Sequence, residues 1–506
     1  MTQDMPQSAS LWQKRPTQRF PQLQEDVTTK VCVIGGGIAG VTTAYMLARK
    51  GIPSVLIEAG EIGTGTTGHT TAKISSQHGL KYADLWQSIG AEKTKLYYEA
   101  NEDAISWVER TCRRLAIDCS FSRRPAYLYA TSEEGKTRLE REAEAYRSLH
   151  LDGSLTDKHE LPFAVTAALK MHEQAQFHPV CFLAKLLRYL EVEQMPVFEQ
   201  TRAVDVKRGR QPVVTTDGGR QIKADHVVMA THYPFKDLQS LFAARLHVER
   251  SYAIAFRLHG EVPKGMYLHA ESPVQSFREA EDIDGRPLLL GGGFGHTSGQ
   301  AGNTESHYEK LRDFVTSHFD VKAIPYRWSS QDIHTSDGVP YAGPLTPGSE
   351  DVYVLTGFGK WGMSAGVAAA QVTADRLEGK YNPYASLFTP SRFHPRADMK
   401  QMVKENMDTA RAFVRGKFHR TKGTVDDLDF DEGAVLKVNG SRTAVYKDEN
   451  GEISAVDSSC THLGCELGWN QAERSWDCPC HGSRFDVDGS VLEGPAVHPL
   501  KKREDV

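Results

Sequence analysis

The chain has 506 residues, of which 40% are hydrophobic and 25% are charged, and its formal net charge is −5. This composition is ordinary for globular domains, the length corresponds to roughly three of them, and no run of Lys and Arg offers the basic surface that a nucleic-acid partner requires. Residues 1–26 lack the apolar core of a signal peptide and no later segment reaches membrane-spanning length, so we expect a cytoplasmic protein without a transmembrane segment.

The first predicted elements are a strand, a glycine-rich turn and a helix. The apolar residues 31–34 lead into Gly-Gly-Gly-Ile-Ala-Gly at 35–40, a helical stretch to residue 49 and a second strand. This order is typical of a βαβ dinucleotide-binding unit, whose glycines allow a tight turn, a close approach to a pyrophosphate and close packing of helix on strand. An acidic residue after the second strand accepts hydrogen bonds from a ribose. The predicted binding residues are Gly35, Gly37, Ile38, Ala39, Gly40 and Glu58.

The glycine pattern alone leaves FAD and NAD undecided, and three later segments favour FAD. They are a polar loop at 66–73, a strand and turn at 227–232, and a strand at 352–355 followed by a glycine turn at 357–364 and a small-residue helix. In order and character these segments resemble the D-amino-acid-oxidase-like flavoenzymes, which include glycine and sarcosine oxidases and dimethylglycine dehydrogenases. The resemblance spans about residues 28–380 and implies further FAD contacts at Thr66, Thr67, His69, Val204, Ala230, Thr231, Gly359, Gly362, Met363 and Ser364.

Two of these positions have alternative interpretations. Backbone N–H groups at the start of the last helix are expected to face the pyrimidine end of the flavin, where negative charge accumulates on reduction. Lys360 either adds a positive charge there or is a solvated loop lysine. In the dimethylglycine dehydrogenase branch a histidine in a similar loop is attached covalently to the flavin, so His69 is either that residue or a hydrogen-bonding partner of ribityl or phosphate oxygens.

Two Cys/His blocks lie near the C-terminal end, Cys-Thr-His-Leu-Gly-Cys at 460–465 and Cys-Pro-Cys-His-Gly-Ser at 478–483. They resemble the ligand loops of Rieske domains, in which two thiolates hold one iron of a 2Fe-2S cluster and two imidazoles hold the other. The resemblance implies Cys460, His462, Cys478 and His481 as ligands and a disulfide between Cys465 and Cys480. A zinc site from the same residue types is the alternative, although it would not explain the two extra cysteines.

Residues beside these blocks bear on the reduction potential. In the respiratory branch of the Rieske family a serine and a tyrosine donate hydrogen bonds to cluster sulfurs, whereas here Ser483 is kept and Phe485 stands at the tyrosine position. Because a lost donor makes adding an electron harder, we expect a potential within about −150 to +300 mV but below the upper end. The Gly-Pro-Ala sequence at 494–496 resembles the loop that covers the cluster.

The expected fold is an α/β, Rossmann-like FAD domain with an interleaved α+β substrate domain, followed by an all-β Rieske domain. Residues 90–113 have the spacing of an amphipathic helix, and residues 133–148 that of a charged helix. The expected bounds are 1–26 for an N-terminal arm, about 27–120, 160–244 and 326–380 for the FAD domain, about 121–159 and 245–325 for the substrate domain, 381–425 for a linker with a helix at 398–415, and 426–506 for the Rieske domain.

The combination of cofactors predicts the reaction. A flavin accepts two electrons together and can release them singly, whereas a 2Fe-2S cluster takes one. We therefore expect a FAD-dependent dehydrogenase that oxidises a small amine, amino acid or N-methylated substrate and passes electrons through the cluster to an external protein or quinone. The alternative is an electron-transfer component that serves a protein partner; a Rieske oxygenase is disfavoured because no facial triad for mononuclear iron can be identified. Candidate catalytic residues are Lys360, Arg278 and His296, with Tyr252 as a further pocket residue.

Overall fold

The computed structural model describes residues 5–14, 18–236, 242–300, 302–392 and 423–504. In chain order its helices are α1 Ile38–Arg49, α2 Tyr82–Ile89, α3 Ala91–Leu115, α4 Glu133–Leu149, α5 Pro179–Val192, α6 Glu305–His318, α7 Gly362–Glu378 and α8 Ala385–Phe388. The helix expected at 398–415 lies outside the described residues. None of the helices in the described ranges has both the length and the apolar character needed to cross a bilayer.

The strands fall into a longer N-terminal group and a shorter C-terminal group. The first ten are β1 Val27–Ile34, β2 Ser54–Ile57, β3 Lys73–Ile74, β4 Ser122–Ala130, β5 Gly153–Thr156, β6 Ala167–Gln176, β7 Val197–Phe198, β8 Ala203–Lys207, β9 Val213–Thr216 and β10 Gln221–Met229. The next seven are β11 Leu246–Leu258, β12 Met266–His269, β13 Gln275–Glu281, β14 Pro287–Thr297, β15 Val321–Thr335, β16 Tyr341–Pro344 and β17 Val352–Thr356. The last seven are β18 Glu432–Val438, β19 Ser441–Lys447, β20 Ile453–Asp457, β21 Gly468–Asn470, β22 Ser475–Asp477, β23 Arg484–Phe485 and β24 Val491–Glu493.

The first sheet is built around the predicted βαβ unit. β1 pairs in parallel with β2 and β10, and β10 pairs in parallel with β17, in the order β16-β17-β10-β1-β2-β7. All of β2 and the last four residues of β1 are buried, as apolar runs in a sheet covered on both faces should be. Helices α1 and α7 contact each other and belong to the same core. Because the strands are parallel, the turns that begin both helices meet at one edge of this sheet.

The second sheet has nine strands in the order β15-β11-β14-β13-β12-β4-β6-β3, with β5 beside β6. The expected amphipathic helix at 90–113 is confirmed as α3, and the charged helix at 133–148 as α4. The domain bounds expected from the sequence assign residues 160–244 and 326–380 to the FAD domain. These ranges contain β6 and most of β15, yet both strands pair within the second sheet. Pairing between strands that are distant in the chain leaves no local pattern, so we propose that the substrate domain includes both strands.

The C-terminal domain consists of two antiparallel sheets, β18-β19-β20 and β21-β22-β23-β24. Trp476 and Phe485 are completely buried at its centre. The same core contains Cys460 and Cys478. The all-β domain predicted at this end of the chain is therefore confirmed, and its apolar core supports both Cys/His loops.

Candidate functional site

The turn between β1 and α1 is shaped by contacts that exclude side chains. Gly35 has a φ of +113°, and a Cβ added there would lie 2.4 Å from the carbonyl oxygen of Ala230. A Cβ added to Gly40 would lie 1.9 Å from the carbonyl oxygen of Gly35. Gly37 is the N-cap of α1 and has no side chain that could cap the helix. The N–H of Ile38 donates a hydrogen bond to Thr67 Oγ1 at 2.9 Å. The N–H groups that follow in the first turn of α1 are the ones that can bind an anionic ligand such as a pyrophosphate.

Glu58 and Arg202 are the charged residues next to this turn. The Glu58 carboxylate accepts hydrogen bonds from the backbone N–H groups of Gly36, at 2.6 Å, and Gly60, at 2.9 Å, which fix its orientation. Burial lowers the pKa of Arg202, and the nearby charge of Glu58 opposes that shift. The sequence missed Arg202, because it belongs to no motif and only the folded sheet brings it close to Glu58.

One cavity connects the glycine-rich turn, the 66–67 loop and the start of α7. Of the predicted residues, it is lined by Gly35, Gly37, Ile38, Ala39, Glu58, Thr66, Thr67, Ala230, Thr231, Gly359, Lys360, Gly362 and Met363. These residues come from widely separated parts of the chain. A cavity with a helix N-terminus beside it suits a dinucleotide, which is the ligand that the sequence predicts.

Four predicted FAD contacts are placed outside this lining: Gly40, His69, Val204 and Ser364. Ser364 is buried, and its Oγ donates a hydrogen bond to the carbonyl oxygen of Ser75 at 2.7 Å. The Nδ1 atom of His69 lies 2.9 Å from the carbonyl oxygen of Gly65. Gly40 acts through the close packing described above. The roles predicted for the other three residues stay predictions.

Lys360 lies at the α7 end of the cavity in a group of charged side chains. Its Nζ is 3.0 Å from Glu249 Oε2, and His334 Nε2 is 3.6 Å from the same oxygen. Asp332 also lines the cavity, and burial raises its pKa to about 6 although the charge of Lys360 opposes the shift. The sequence selected Lys360 but missed both carboxylates, because β11 and β15 carry them and become neighbours only in the folded sheet.

Arg278 and His296 have other neighbours and are placed away from this cavity. The Arg278 guanidinium donates a hydrogen bond to the carbonyl oxygen of Thr71 at 2.5 Å and lies 5.0 Å from the ring centroid of Trp12. His296 Nε2 lies 2.9 Å from the hydroxyl of Tyr252. These contacts give both residues packing partners, and their catalytic roles stay predictions.

Lys73 is a buried amine that the sequence did not single out. It is the last residue of the polar loop at 66–73, and its Nζ lies 3.3 Å from the carbonyl oxygen of Tyr267 in the nine-stranded sheet. Burial, together with the nearby positive charge of Arg278, lowers the pKa of Lys73 to about 7. The amine therefore belongs to the nine-stranded sheet, since Lys73 begins β3 and Tyr267 lies in β12.

The two Cys/His blocks form adjacent loops in the C-terminal domain. The rings of His462 and His481 lie 5.1 Å apart, and among the described residues neither Nδ1 atom has a hydrogen-bond partner. Cys460 and Cys478 are buried free thiols, and a hydrogen bond from Cys478 holds the pKa of Cys460 below its usual range. Unpaired imidazole nitrogens beside two thiols are the donor set of a Rieske cluster.

The remaining predicted features of this domain lie around the same loops. Cys465 and Cys480 are joined by a disulfide, as the sequence predicted. Ser483 and Phe485 are both completely buried. The Ser483 Oγ accepts a hydrogen bond from the backbone N–H of Ala496 at 3.0 Å, which ties the 494–496 loop to the second Cys/His block.

Comparison with known proteins identifies both parts of the chain. Residues 30–376 match the family described as FAD dependent oxidoreductase, and residues 421–504 match the Rieske [2Fe-2S] domain. The chain belongs to the FAD dependent oxidoreductase family. As a member of this family with a Rieske domain, the oxidoreductase has FAD and a 2Fe-2S cluster as its cofactors. The alternative of a zinc site is thereby excluded.

Relatives of this oxidoreductase cover either the whole chain or its FAD-binding part. YhfW of Bacillus subtilis (strain 168), whose name describes a Rieske 2Fe-2S iron-sulfur protein, is 41% identical over 96% of this chain and 95% of its own length. Gamma-glutamylputrescine oxidoreductase of Escherichia coli (strain K12) is 24% identical over 73% of this chain and 88% of its own. The crystal structure of glycine oxidase from Geobacillus kaustophilus superimposes with a TM-score of 0.61 and 18% identity, covering 72% of this chain and 99% of that one.

The Rieske domain of the oxidoreductase borders the FAD cavity. Leu492, Glu493, Gly494, Ala496 and Val497 line the cavity together with the glycine-rich turn and the start of α7. Ala496 is also the residue that contacts Ser483 of the second Cys/His block. Residues 492–497 therefore form a wall that contacts both the cavity and the second Cys/His block.

Proposed function

We propose that this oxidoreductase is a dehydrogenase that oxidises a small amine, amino acid or N-methylated substrate and delivers the electrons, one at a time, through its cluster to an external protein or quinone. The shared wall formed by residues 492–497 carries the proposal, because it brings the two cofactor sites into one structure. When bound, FAD supplies a two-electron acceptor that can release electrons singly, which is what a one-electron cluster requires. We propose the cytoplasm as the compartment.

The substrate class is proposed from the relatives. Gamma-glutamylputrescine oxidoreductase and glycine oxidase are named for an amine and an amino acid. The chain is similar to both over nearly three quarters of its length. A small molecule with an oxidisable C–H bond next to nitrogen is therefore the substrate that we propose.

The charged residues at the α7 end of the cavity support a role in orienting polar groups. Lys360 presents a cation to the cavity, and its ion pair with Glu249 helps to hold the pKa of Glu249 below its usual range despite partial burial. We propose that Lys360 binds the negatively charged edge of the reduced ring or an anionic group of the substrate. We propose that Glu249 fixes the position of this ammonium group.

An anaerobic single-turnover experiment tests the proposed function. The purified chain, with both cofactors, is mixed with a panel of amines, amino acids and N-methylated amino acids. We expect at least one compound to bleach the flavin absorbance and then to produce the electron paramagnetic resonance signal of the reduced cluster. A panel without any bleaching, or bleaching that never reduces the cluster, would contradict the proposal.

The position of Arg278 and His296 outside the cavity favours a second candidate, an electron-transfer component without its own small-molecule substrate. In that case the flavin would relay electrons between the cluster and a protein partner. Turnover of the purified chain with an amine and an artificial one-electron acceptor would favour the dehydrogenase. A strict requirement for an external reductase would favour the electron-transfer component.

A further inference from the structure

The nucleotide end of the FAD cavity is linked to the Rieske domain through Arg202. Its guanidinium lines the cavity close to Glu58 and donates a hydrogen bond to the carbonyl oxygen of Val491 at 2.9 Å. Val491 immediately precedes the residues of the Rieske domain that line the cavity. A single side chain therefore contacts the cavity and the neighbouring domain at the same time.

A second link runs through Gln331, which contacts Glu493, two residues after Val491. Gln331 Nε2 donates hydrogen bonds to the carbonyl oxygen of Gly482 and to Glu493 Oε2, each at 2.8 Å. Gly482 follows the predicted ligand His481, and Glu493 lines the cavity next to Asp332. One buried amide thus connects the cluster-binding loop to the cavity wall.

Buried charges continue this link into both domains. Arg484 donates to Glu493 at 2.8 Å and to Asp477 at 3.2 Å, and Arg250 of the nine-stranded sheet lies 3.7 Å from Asp477. Arg250 is completely buried. Removing one member of such a network leaves an uncompensated buried charge, so the network holds the two domains in one relative position.

Glycines allow the backbones of the two domains to approach closely. A Cβ added to Gly299, whose φ is +69°, would lie 2.6 Å from Cα of Pro479 in the cluster-binding loop. A Cβ added to Gly482, whose φ is +75°, would lie 2.7 Å from Cγ1 of Val248. A larger side chain at either position would force the domains apart.

We propose that the docked Rieske domain supplies part of the FAD-binding site, so that FAD binding and the docking of the cluster-binding loop stabilise each other. FAD that contacts the wall at 492–497 binds more tightly when the domain is docked. By linkage, bound FAD must then favour docking by the same factor. The inference goes beyond electron transfer, because it makes the iron-sulfur domain a structural part of the flavin site.

Gly299→Val tests this coupling, because the valine wedges the domains apart at a position that is outside the FAD cavity. Gly285→Val is the matched control, since Gly285 also has a positive φ, +78°, and an added Cβ there meets no atom within 4 Å. The dissociation constant of FAD is measured by fluorescence titration of the deflavinated full chain that retains its cluster. We expect Gly299→Val to weaken FAD binding by about tenfold or more. The control should match the wild type.

The same samples report the reciprocal effect. FAD should raise the temperature at which the visible circular dichroism of the cluster is lost in the wild type and in the control, but not in Gly299→Val. Wild-type FAD affinity in the Gly299→Val variant, with its cluster spectrum intact, would overturn the proposal.

A charge variant keeps the proposal testable if Gly299→Val does not fold. Gln331→Glu places a second carboxylate against Glu493 and should also weaken FAD binding, whereas the double variant with Glu493→Gln restores a hydrogen-bonded pair and should recover the affinity. Unchanged affinity in Gln331→Glu would overturn the coupling. Both measurements are independent of any substrate, so a failure of the proposed reaction leaves this inference intact, and the reverse also holds.

Discussion

Replacing Ser483 with alanine should lower the reduction potential of the Rieske cluster. Ser483 is completely buried, and its Oγ accepts the backbone N–H of Ala496, so its own hydrogen is available for the hydrogen bond to Cys460. A hydrogen bond to a ligand sulfur stabilises the extra negative charge of the reduced cluster. The loss of this donor therefore favours the oxidised state.

The size of the shift follows from the difference in hydrogen-bond energy between the two oxidation states. The sulfur carries negative charge in both states, so only part of a charge-assisted bond counts, and we take about 1 kcal/mol. For a one-electron couple a tenfold change, about 1.4 kcal/mol, corresponds to about 59 mV. We therefore expect Ser483→Ala to lower the midpoint potential by roughly 40 mV.

A redox titration followed by electron paramagnetic resonance measures this shift in the full chain. Ser483→Thr retains the hydroxyl donor and serves as the control, with a midpoint close to that of the wild type. Phe485→Tyr restores the donor of the respiratory branch and should raise the midpoint. A Ser483→Ala variant with an unchanged or higher potential and an intact cluster signal would refute the reasoning.

Three further predictions concern the FAD cavity. Gly40→Ala places a Cβ 1.9 Å from a carbonyl oxygen and must displace the start of α1. The affinity of this variant for FAD should therefore fall by about tenfold or more in a fluorescence titration. Gly260→Ala, at a position where an added Cβ meets no atom within 4 Å, is the control and should have no effect. Burial raises the pKa of Asp332 to about 6, so the folded state retains a proton that the unfolded state releases near pH 4, and stability falls as pH rises between these values. The free energy of unfolding of Asp332→Asn should therefore increase relative to that of the wild type between pH 4 and 6, by at most about 3 kcal/mol and by less where solvent screens the carboxylate. A difference in stability between variant and wild type that is the same at all pH values would contradict the raised pKa of Asp332. Lys360→Met removes a partly exposed ion pair, so thermal unfolding should show a loss of stability below about 1 kcal/mol. The reduction potential of the bound flavin, measured by potentiometry, should be lower in this variant because a nearby cation is gone.

The sequence predicted the parts of both sites that depend on local order. The turn at 35–40, with Glu58 after the next strand, requires fixed spacing because the glycines serve one tight turn. The paired blocks at 460–465 and 478–483 are equally local, and the disulfide between them follows the family pattern. Such motifs are readable because their geometry is set within a few residues.

Residues that reach the cavity from distant strands could not be predicted in this way. Asp332 and Glu249 lie on β15 and β11, whose register is fixed by the nine-stranded sheet. Arg202 acts near Glu58 and contacts the Rieske domain, although no motif surrounds it. Conversely, Arg278 has a side chain suited to binding a carboxylate, but its hydrogen bonds go to backbone carbonyl groups. Residue type predicts what a side chain can bind, and only the packed structure determines what it contacts.

The charged interface between the domains is better explained by specificity than by stability. Burying Arg250, Asp477 and Arg484 beside the half-buried Glu493 carries a desolvation penalty that well-packed apolar side chains would avoid. An apolar interface, however, tolerates small shifts of one domain against the other, whereas hydrogen-bonded charges keep their partners in one relative position of the domains only. A shift of about 1 Å would break the bonds of Gln331 to both Gly482 and Glu493, because hydrogen bonds weaken steeply beyond their normal length. The proposed electron transfer and the proposed contact of FAD with residues 492–497 both require a fixed distance between the cavity and the cluster-binding loops. An interface of hydrogen-bonded charges is the kind that would maintain this distance.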